Sequence, residues 1–189
     1  DASGNIYYVA GKNSGGNGFV KAIQLNNDAG INGAYNVEAE LSNMSIVNKL
    51  TRDGENIYAV GYKSNANGSK TGKIAKLVHN VTVFEPAVYA ADYSTVLNYE
   101  YNSVVVYQSL YDGQYYLSAV GNTGVSGQNG ATGGLVTSCS VNLTDCTSEN
   151  PFLWKNNNSN TTTIFNDIIE IGTTNYYLVV GNSRIDSLY

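Results

Sequence analysis

Four short segments of the chain repeat one order of apolar and polar positions, in which a run of β-branched and aromatic residues ends on a glycine. The segments are NIYYVAG from Asn5, NIYAVG from Asn56, QYYLSAVG from Gln114 and NYYLVVG from Asn175. They end at Gly11, Gly61, Gly121 and Gly181, which are separated by 50, 60 and 60 residues. Turn residues precede each run, so the runs predict strands, and their recurrence predicts a repeat architecture.

Further strands are predicted on both sides of this motif. Before it lie SIVNKL from Ser45, SVVVYQSL from Ser103 and FNDIIEI from Phe165. After it, across Gly-rich polar loops, lie GFVKAIQL from Gly18, GKIAKLV from Gly72 and GGLVTSCSV from Gly133. Weaker segments end the units: AYNVEAEL from Ala34, TVFEPAVYA from Thr82 and PFLWKN from Pro151. Four strands per unit is the count of a propeller blade.

Apolar residues do not recur at helical spacing over ten residues anywhere in the chain. The sequence therefore predicts an all-β fold made of antiparallel four-stranded repeat units, a β-propeller or part of one. We expect one repeat domain over residues 1–189, with units near 1–44, 45–101, 102–160 and 161–189.

The repeat resembles bacterial β-propeller proteins in which a D-x-x-GN-I/Y-Y-V-x-G strand is followed by a loop and a G-x-x-x-K-L strand. The residues that carry the resemblance are Asp1 to Gly11 with Gly18 to Leu25, and Asp53 to Gly61 with Gly72 to Leu77. The resemblance decays after Gly121, and it implies a scaffold rather than an activity. The four glycines span only three periods, whereas a closed propeller ring needs about four blades. We therefore expect a fragment of a longer propeller, a small ring whose last blade combines both termini, or a ring completed by another chain.

The composition of the chain argues against two classes of function, nucleic-acid binding and a membrane-embedded role. Only 13% of the residues are charged, the net charge is −5, and no run of Lys or Arg occurs, which argues against nucleic-acid binding. No apolar stretch approaches the length of about 18 residues that spans a bilayer, so the protein is not expected to be membrane-embedded. The first residues, Asp-Ala-Ser-Gly, lack an initiator Met, which indicates a processed or excised chain. A secreted or cell-surface location is expected.

The chain has two cysteines, Cys139 and Cys146, and a single histidine, His79. A zinc site needs more ligands at closer spacing, so neither a metal nor a cofactor is predicted. Two readings of the cysteines stay open: a small intrachain disulfide loop, which we favour, and two unpaired buried thiols. His79 is interpreted as a surface or strand-end residue.

No motif of nucleophilic, metal-dependent or nucleotide chemistry is present with its required context, so no catalytic residue is assigned. Glycoside hydrolysis needs only two carboxylates about 5–10 Å apart. The carboxylates considered for it are Asp53, Glu55, Asp92, Glu100, Asp112, Asp167 and Glu170. Solvated turn or strand carboxylates are the competing interpretation of these residues. Asp145 and Glu149 are too isolated for a calcium site.

Two sets of residues are candidates for surface chemistry. Possible glycan attachment sites are Asn43, Asn67, Asn80, Asn142, Asn157 and Asn160, which would be used in a eukaryotic secreted protein and arise by chance in a bacterial one. A possible aromatic binding surface comprises Tyr115, Tyr116, Tyr176, Tyr177 and Trp154. In an alternating strand, however, one ring of a Tyr pair packs in the core and its neighbour faces outward.

These features favour a non-catalytic secreted or cell-surface module that binds a protein partner or further blades of the same protein. The alternative is a carbohydrate-active propeller, either a lectin or a glycoside hydrolase. A glycan array with a parallel hydrolysis assay separates the two hypotheses.

Overall fold

A computed structural model describes residues 5–25, 31–80, 82–92, 98–124, 132–146, 152–154, 161–171 and 177–185. Every regular element within these ranges is a strand, and the all-β prediction is confirmed. The strands are β1 (Ile6–Lys12), β2 (Gly18–Leu25), β3 (Ile31–Leu41), β4 (Ile46–Asp53), β5 (Asn56–Ser64), β6 (Lys70–Asn80), β7 (Val83–Phe84), β8 (Val88–Tyr89), β9 (Tyr99–Gln108), β10 (Tyr115–Gly124), β11 (Thr132–Ser140), β12 (Phe152–Trp154), β13 (Thr161–Glu170) and β14 (Tyr177–Ile185).

The strands form four antiparallel sheets that follow one another along the chain. Sheet I has the order β1-β2-β3, sheet II β4-β5-β6-β7 with β8 also on β6, sheet III β12-β11-β10-β9, and sheet IV β13-β14. Sheet III begins at Tyr99, slightly before the unit boundary predicted at residue 102. No sheet among the described strands closes on itself, and the division into repeat units stays a prediction. No helix that could cross a bilayer occurs in the described ranges.

The glycine-ended motif forms β1, β5, β10 and β14, which we call the motif strands. In sheets II, III and IV a leading strand, β4, β9 or β13, precedes the motif strand and pairs with it. The hydrophobic core consists of two clusters, one on each face of sheet II. Strand β5 is therefore buried on both faces. Ile57 and Ala59 pack into the cluster shared with sheet I, whereas Tyr58 and Val60 pack into the cluster shared with sheet III. Burial on both faces explains the continuous apolar run of this strand.

Each leading strand carries a β-bulge, one extra residue opposite its motif strand. The extra residues are Asn48, Asn102 and Asn166, which we call the bulge asparagines. The Asn48 side-chain amide donates a hydrogen bond of 2.7 Å to the Tyr101 carbonyl of the next sheet. The Asn102 amide donates likewise to the Phe165 carbonyl at 2.8 Å. One repeated side chain therefore links sheet II to sheet III and sheet III to sheet IV.

The bulges also explain the glycine that ends the motif. A Cβ placed on Gly61, Gly121 or Gly181 would lie 2.1, 1.9 or 2.2 Å from a carbonyl oxygen of the leading strand. These oxygens belong to Ile46, Glu100 and Ile164, all within two residues of a bulge asparagine. Because backbone cannot yield as a flexible side chain does, only glycine fits opposite each bulge.

Candidate functional site

Three tyrosines from three strands form one aromatic cluster, which we call the tyrosine cluster. Tyr107 of β9 pairs in register with Tyr116 of β10, and their ring centroids lie 5.9 Å apart in a stacked arrangement. Tyr177 of β14 approaches Tyr107 edge-on, with 4.9 Å between the centroids. All three side chains are half-buried. Sheets III and IV thus present a continuous aromatic surface of the kind that stacks against apolar or sugar faces.

A carboxylate is fixed beside this cluster by the turn between β9 and β10. The Tyr116 hydroxyl donates to Asp112 at 2.6 Å, and the backbone amide of Gln114 donates to the same carboxylate at 3.0 Å. The bond from Tyr116, followed by the bond from Gln114, lowers the pKa of Asp112. The same bond to Asp112 raises the pKa of Tyr116. Asp112 is therefore held as an anionic hydrogen-bond acceptor next to a neutral phenol.

The hydroxyl of Tyr177 is buried within the tyrosine cluster. Burial, and after it the neighbouring Tyr107, raises the pKa of the Tyr177 phenol far above its usual value. Its hydroxyl has no partner of good hydrogen-bond geometry in the described part of the chain, so Tyr107 acts on it by proximity. Tyr177 therefore serves the cluster as a neutral packing surface.

The predicted aromatic surface is only partly assembled. Tyr116 and Tyr177 are brought together through Tyr107, which sequence reasoning did not single out. Tyr115 alternates with Tyr116 along β10, so it lies on the opposite face and is exposed. Trp154 ends β12 opposite Gly134, and its side chain lies outside the described residues, as does all of Tyr176. Counting outward from the Asp112-Gly113 turn would have paired Tyr116 with Ser109, so Tyr107 is identified only from the observed register of β9 and β10.

The turn beside the cluster exposes further apolar surface. Leu110 is 66% exposed and Tyr111 is fully exposed at the tip of the β9–β10 connection. Gly113 takes a positive φ of 70° there, which the Asp-Gly turn predicts. Large exposed apolar side chains at a hairpin tip are a common feature of contact sites.

Several of the carboxylates considered for glycoside hydrolysis are engaged in structural contacts. Asp92 forms an ion pair with the buried Lys73, and Glu100 forms one with Lys70 at 2.5 Å. The hydroxyl of Ser103, and after it Lys49, lowers the pKa of Asp167.

The remaining three carboxylates lie at strand ends. Asp53 and Glu55 lie at the turn between β4 and β5, and Glu170 ends β13. Within the described ranges, no cluster of three or more His, Cys, Asp or Glu side chains could hold a metal ion.

Cys139 and Cys146 lie at disulfide distance, as the sequence predicts. Their sulfur atoms are 2.21 Å apart and their Cα atoms 4.6 Å apart. The enclosed loop buries Leu143 in the core cluster between sheets II and III. Asp145 accepts a 2.8 Å hydrogen bond from the Ser140 amide, which closes the turn. The loop is thus a packed part of the fold.

His79 lies at the end of β6 but is not on the surface, since its side chain is only 5% exposed. Its Nδ1 is hydrogen-bonded to the Tyr8 hydroxyl of sheet I at 2.8 Å, and its ring packs against Phe84. Burial, followed by the charge of Arg52, lowers the pKa of His79. This histidine links sheets I and II, and its Nε2 has no hydrogen-bond partner among the described residues.

A small cavity of about 140 Å³ lies where β6 and β9 begin and β10 ends, at the end of sheet III away from the tyrosine cluster. It is lined by Lys70, Asn98, Tyr99, Glu100, Asn122 and Gly124. Asn98 takes a positive φ of 60° and accepts a hydrogen bond from the Lys70 amide. Because Lys70 and Glu100 neutralise each other, the cavity offers no free charge, and it is smaller than typical ligand pockets of about 300–1,000 Å³.

Four of the six possible glycan attachment sites lie in the described residues. Asn67, Asn80 and Asn142 are exposed, whereas Asn43 is half-buried. The side-chain oxygen Oδ1 of Asn43 accepts a 3.2 Å hydrogen bond from the Lys63 ammonium group. Asn157 and Asn160 lie outside the described residues. Three of these positions are therefore accessible to a modifying enzyme.

No family model, curated protein or solved structure matches the chain.

Proposed function

We propose that this chain is a non-catalytic, secreted or cell-surface module that binds another protein, built as blades of a β-propeller. One observation carries the proposal: the outer face of sheet IV is apolar and open. Its large side chains are Ile169, Ile171, Leu178 and Val180, which are 50%, 50%, 47% and 52% exposed. We call these four residues the sheet IV face.

The pattern within β13 and β14 makes this face contiguous. Leu178 pairs directly with Ile169 across the two strands, and Val180 follows Leu178 on the same side of β14. The alternate residues Tyr177 and Val179 are half-buried on the other side. An open stripe of apolar side chains over a two-stranded sheet is typical of a protein-binding surface.

The equivalent positions inside the molecule support this interpretation. Counted from the terminal glycines, Leu178 and Val180 correspond to Tyr58 and Val60 of β5. Those two side chains are completely buried by sheet III. A face with the same spacing and chemistry in sheet IV is therefore suited to receive a β-sheet.

Other features support the propeller and the location. The sheets succeed one another in chain order, each leading strand bears the same bulge, and the bulge asparagines link neighbouring sheets. A recurring sheet that packs face to face on the next is the plan of propeller blades. A cysteine pair at disulfide distance fits an oxidising compartment.

Site-specific photo-crosslinking in the native host tests the proposal. A photoreactive amino acid placed at Leu178 should crosslink to a discrete protein, while the same group at the exposed loop residue Asn67 should not. Equal crosslinking at both positions, or none at Leu178, would contradict a binding role for the sheet IV face. Circular dichroism establishes that both variants are folded.

Glycan binding at the tyrosine cluster is the second candidate, because stacked rings beside the ordered carboxylate of Asp112 match the chemistry of sugar recognition. A glycan array with a parallel hydrolysis assay tests it. Tyr116→Phe keeps the ring but removes the donor to Asp112, whereas Tyr116→Ala removes the stacking surface. A lectin loses more affinity in the alanine variant, and turnover of a bound glycan would identify an enzyme.

A further inference from the structure

The dipeptide Asn-Gly occurs four times in the chain, and the structure places two of its copies in opposite settings. Asn17-Gly18 leads from the β1–β2 turn into β2, whereas Asn67-Gly68 lies in the turn between β5 and β6. The other two copies lie at residues 32–33 and 129–130, and only the backbone of the first is described. Because glycine has no side chain to hinder attack by its backbone nitrogen, an Asn-Gly pair can cyclise to a succinimide and lose ammonia.

The turn around Asn67 is exposed and open. Asn67 and Gly68 are both exposed, and a Cβ on Gly68 would meet no atom beyond its chain neighbours within 4 Å. The Gly68 amide donates a 3.0 Å hydrogen bond to the Asn65 carbonyl, which closes a single turn and can open without disturbing a strand. The nitrogen that must attack is therefore accessible in the folded protein.

Hydrogen bonds also act on the carbonyl group that would be attacked. The side-chain oxygen Oδ1 of Asn67 accepts one from the Ser69 backbone amide at 3.0 Å and one from the Ser69 hydroxyl at 2.7 Å. The Asn65 side-chain amide donates to that hydroxyl at 2.9 Å, so the hydroxyl hydrogen is directed to Asn67. Two donors at one carbonyl oxygen stabilise the negative charge that develops there during attack.

Asn17-Gly18 has the same sequence in a closed setting. Gly18 is buried, its amide donates to the Met44 carbonyl at 2.8 Å, and a Cβ there would lie 3.1 Å from the Met44 side chain. The side-chain nitrogen of Asn17, which is the leaving group, donates to Glu40 at 2.7 Å. Attack at Asn17 therefore requires the start of β2 to separate from the chain that follows β3.

We propose that Asn67 is a site of spontaneous deamidation in the folded protein and that Asn17 is protected from this reaction. The Gly68 nitrogen loses its proton and forms a bond to Cγ of Asn67, the bond from Cγ to Nδ2 breaks, and ammonia leaves with that proton. Water then opens the succinimide at either of its carbonyls and gives aspartate or isoaspartate. Each product places a carboxylate in the β5–β6 turn and removes the amide that glycan attachment at Asn67 would need.

Peptide mapping of the intact chain after timed incubation in mildly alkaline buffer tests the proposal. The protein is produced in a host that does not glycosylate it, and digestion in heavy-oxygen water marks any deamidation that arises during digestion. Trypsin places the two dipeptides in separate peptides, residues 13–21 and 64–70. In the folded chain, aspartate and isoaspartate should accumulate in the second peptide at least about 10-fold faster than in the first. In the denatured chain the two rates should become similar.

Two hydroxyl variants test the part assigned to Ser69. Ser69→Ala removes one donor to Asn67 and should slow deamidation there by about 3- to 10-fold. Thr71→Val is the matched control. It removes the other hydroxyl that accepts from the Asn65 amide, at 2.9 Å, and it should leave the rate at Asn67 unchanged. Thermal unfolding establishes that both variants are folded.

Four results would overturn the proposal or its mechanism. The first is the absence of both products from the peptide 64–70 of the folded chain, and the second is an equal rate in the peptide 13–21. The third is aspartate without isoaspartate, which would indicate direct hydrolysis of the amide in place of a succinimide. The fourth is an unchanged or faster rate in Ser69→Ala, which would show that the hydroxyl does not activate the Asn67 carbonyl.

Discussion

The motif strands β5 and β14 carry the same glycine-ended motif beside a bulged leading strand, yet they differ in what covers them. Sheets I and III bury both faces of β5, and the outer face of β14 is open. Val60 and Val180 occupy the same place in the motif with 0% and 52% exposure. The same motif position is therefore buried where sheets lie on both sides and half-exposed where the described residues cover only one side. The comparison can be tested by equivalent substitutions in the two settings.

The largest effect is expected where the glycine faces a bulge. Gly121→Ala places a Cβ where the Glu100 carbonyl lies, so the free energy of unfolding should fall by about 3 kcal/mol. Gly11→Ala should change it by less than about 0.5 kcal/mol, because only the Phe19 ring is near. Urea denaturation measures both. Equal losses would show that the glycines are kept for another reason.

Truncating the two equivalent valines should separate the covered layer from the open one. Val60→Ala leaves a cavity between sheets II and III and should cost about 2 kcal/mol of unfolding free energy. Val180→Ala removes a half-exposed side chain and should cost less than about 0.5 kcal/mol. Melting temperatures at several protein concentrations provide the measurement. A large, concentration-dependent loss for Val180→Ala would mean that a partner copy covers this face.

The bulge asparagines offer a finer comparison. Asn102→Ala removes the hydrogen bond to the Phe165 carbonyl and should lower the free energy of unfolding by about 1 kcal/mol. Asn166→Ala, at the exposed equivalent in sheet IV, should be nearly neutral in the isolated chain. Chemical denaturation of the two variants and the wild type measures the difference. A larger loss of unfolding free energy in Asn166→Ala than in Asn102→Ala would refute the role of the bulge asparagines in linking neighbouring sheets.

The smallest effect concerns the contact between sheets I and II. Burial and Arg52 lower the pKa of His79 in the folded state, so the unfolded chain, with a histidine pKa near 6.5, takes up the proton first. This contribution to stability is fully present above about pH 6.5 and is lost as the pH falls toward the lowered folded pKa. His79→Asn, whose side-chain amide occupies the position of Nδ1 and can still bond Tyr8, should flatten this loss. Denaturation midpoints near pH 7.5 and pH 5 compare the two proteins, and an equal loss of stability at pH 5 in His79→Asn would assign the loss to carboxylates.

Much of the fold could be predicted from the sequence, because the spacing of apolar residues in a strand and the residue types that favour a turn are local features of the chain. The glycine-ended motif marked β1, β5, β10 and β14, and the Asp-Gly turns marked two hairpins. The bulges were missed, because one extra residue becomes visible only when two strands are paired in register. In the sequence, Asn48 and Asn102 are therefore not distinguishable from the other polar residues of the predicted strands.

The sequence singled out Tyr116 and Tyr177 of the candidate site, but not the ring that connects them. Tyr107 and Tyr116 face each other across a hairpin, yet counting outward from Asp112-Gly113 would place Ser109 opposite Tyr116. The approach of Tyr177 depends on how sheet IV packs on sheet III, which no local pattern encodes. The burial of His79 is a second case, since Tyr8 is 71 residues away in sequence. The propeller and the function stay predictions.

The fit between bulge and glycine also bears on how this chain avoids misfolding. Four motif strands of similar sequence could exchange partners or slide by two residues while keeping apolar side chains on the same face. A slide by two residues would drive the carbonyl facing Gly61 into the side chain of Ala59 or of Lys63. The fit between bulge and glycine therefore disfavours slipped hairpins sterically and selects the native register.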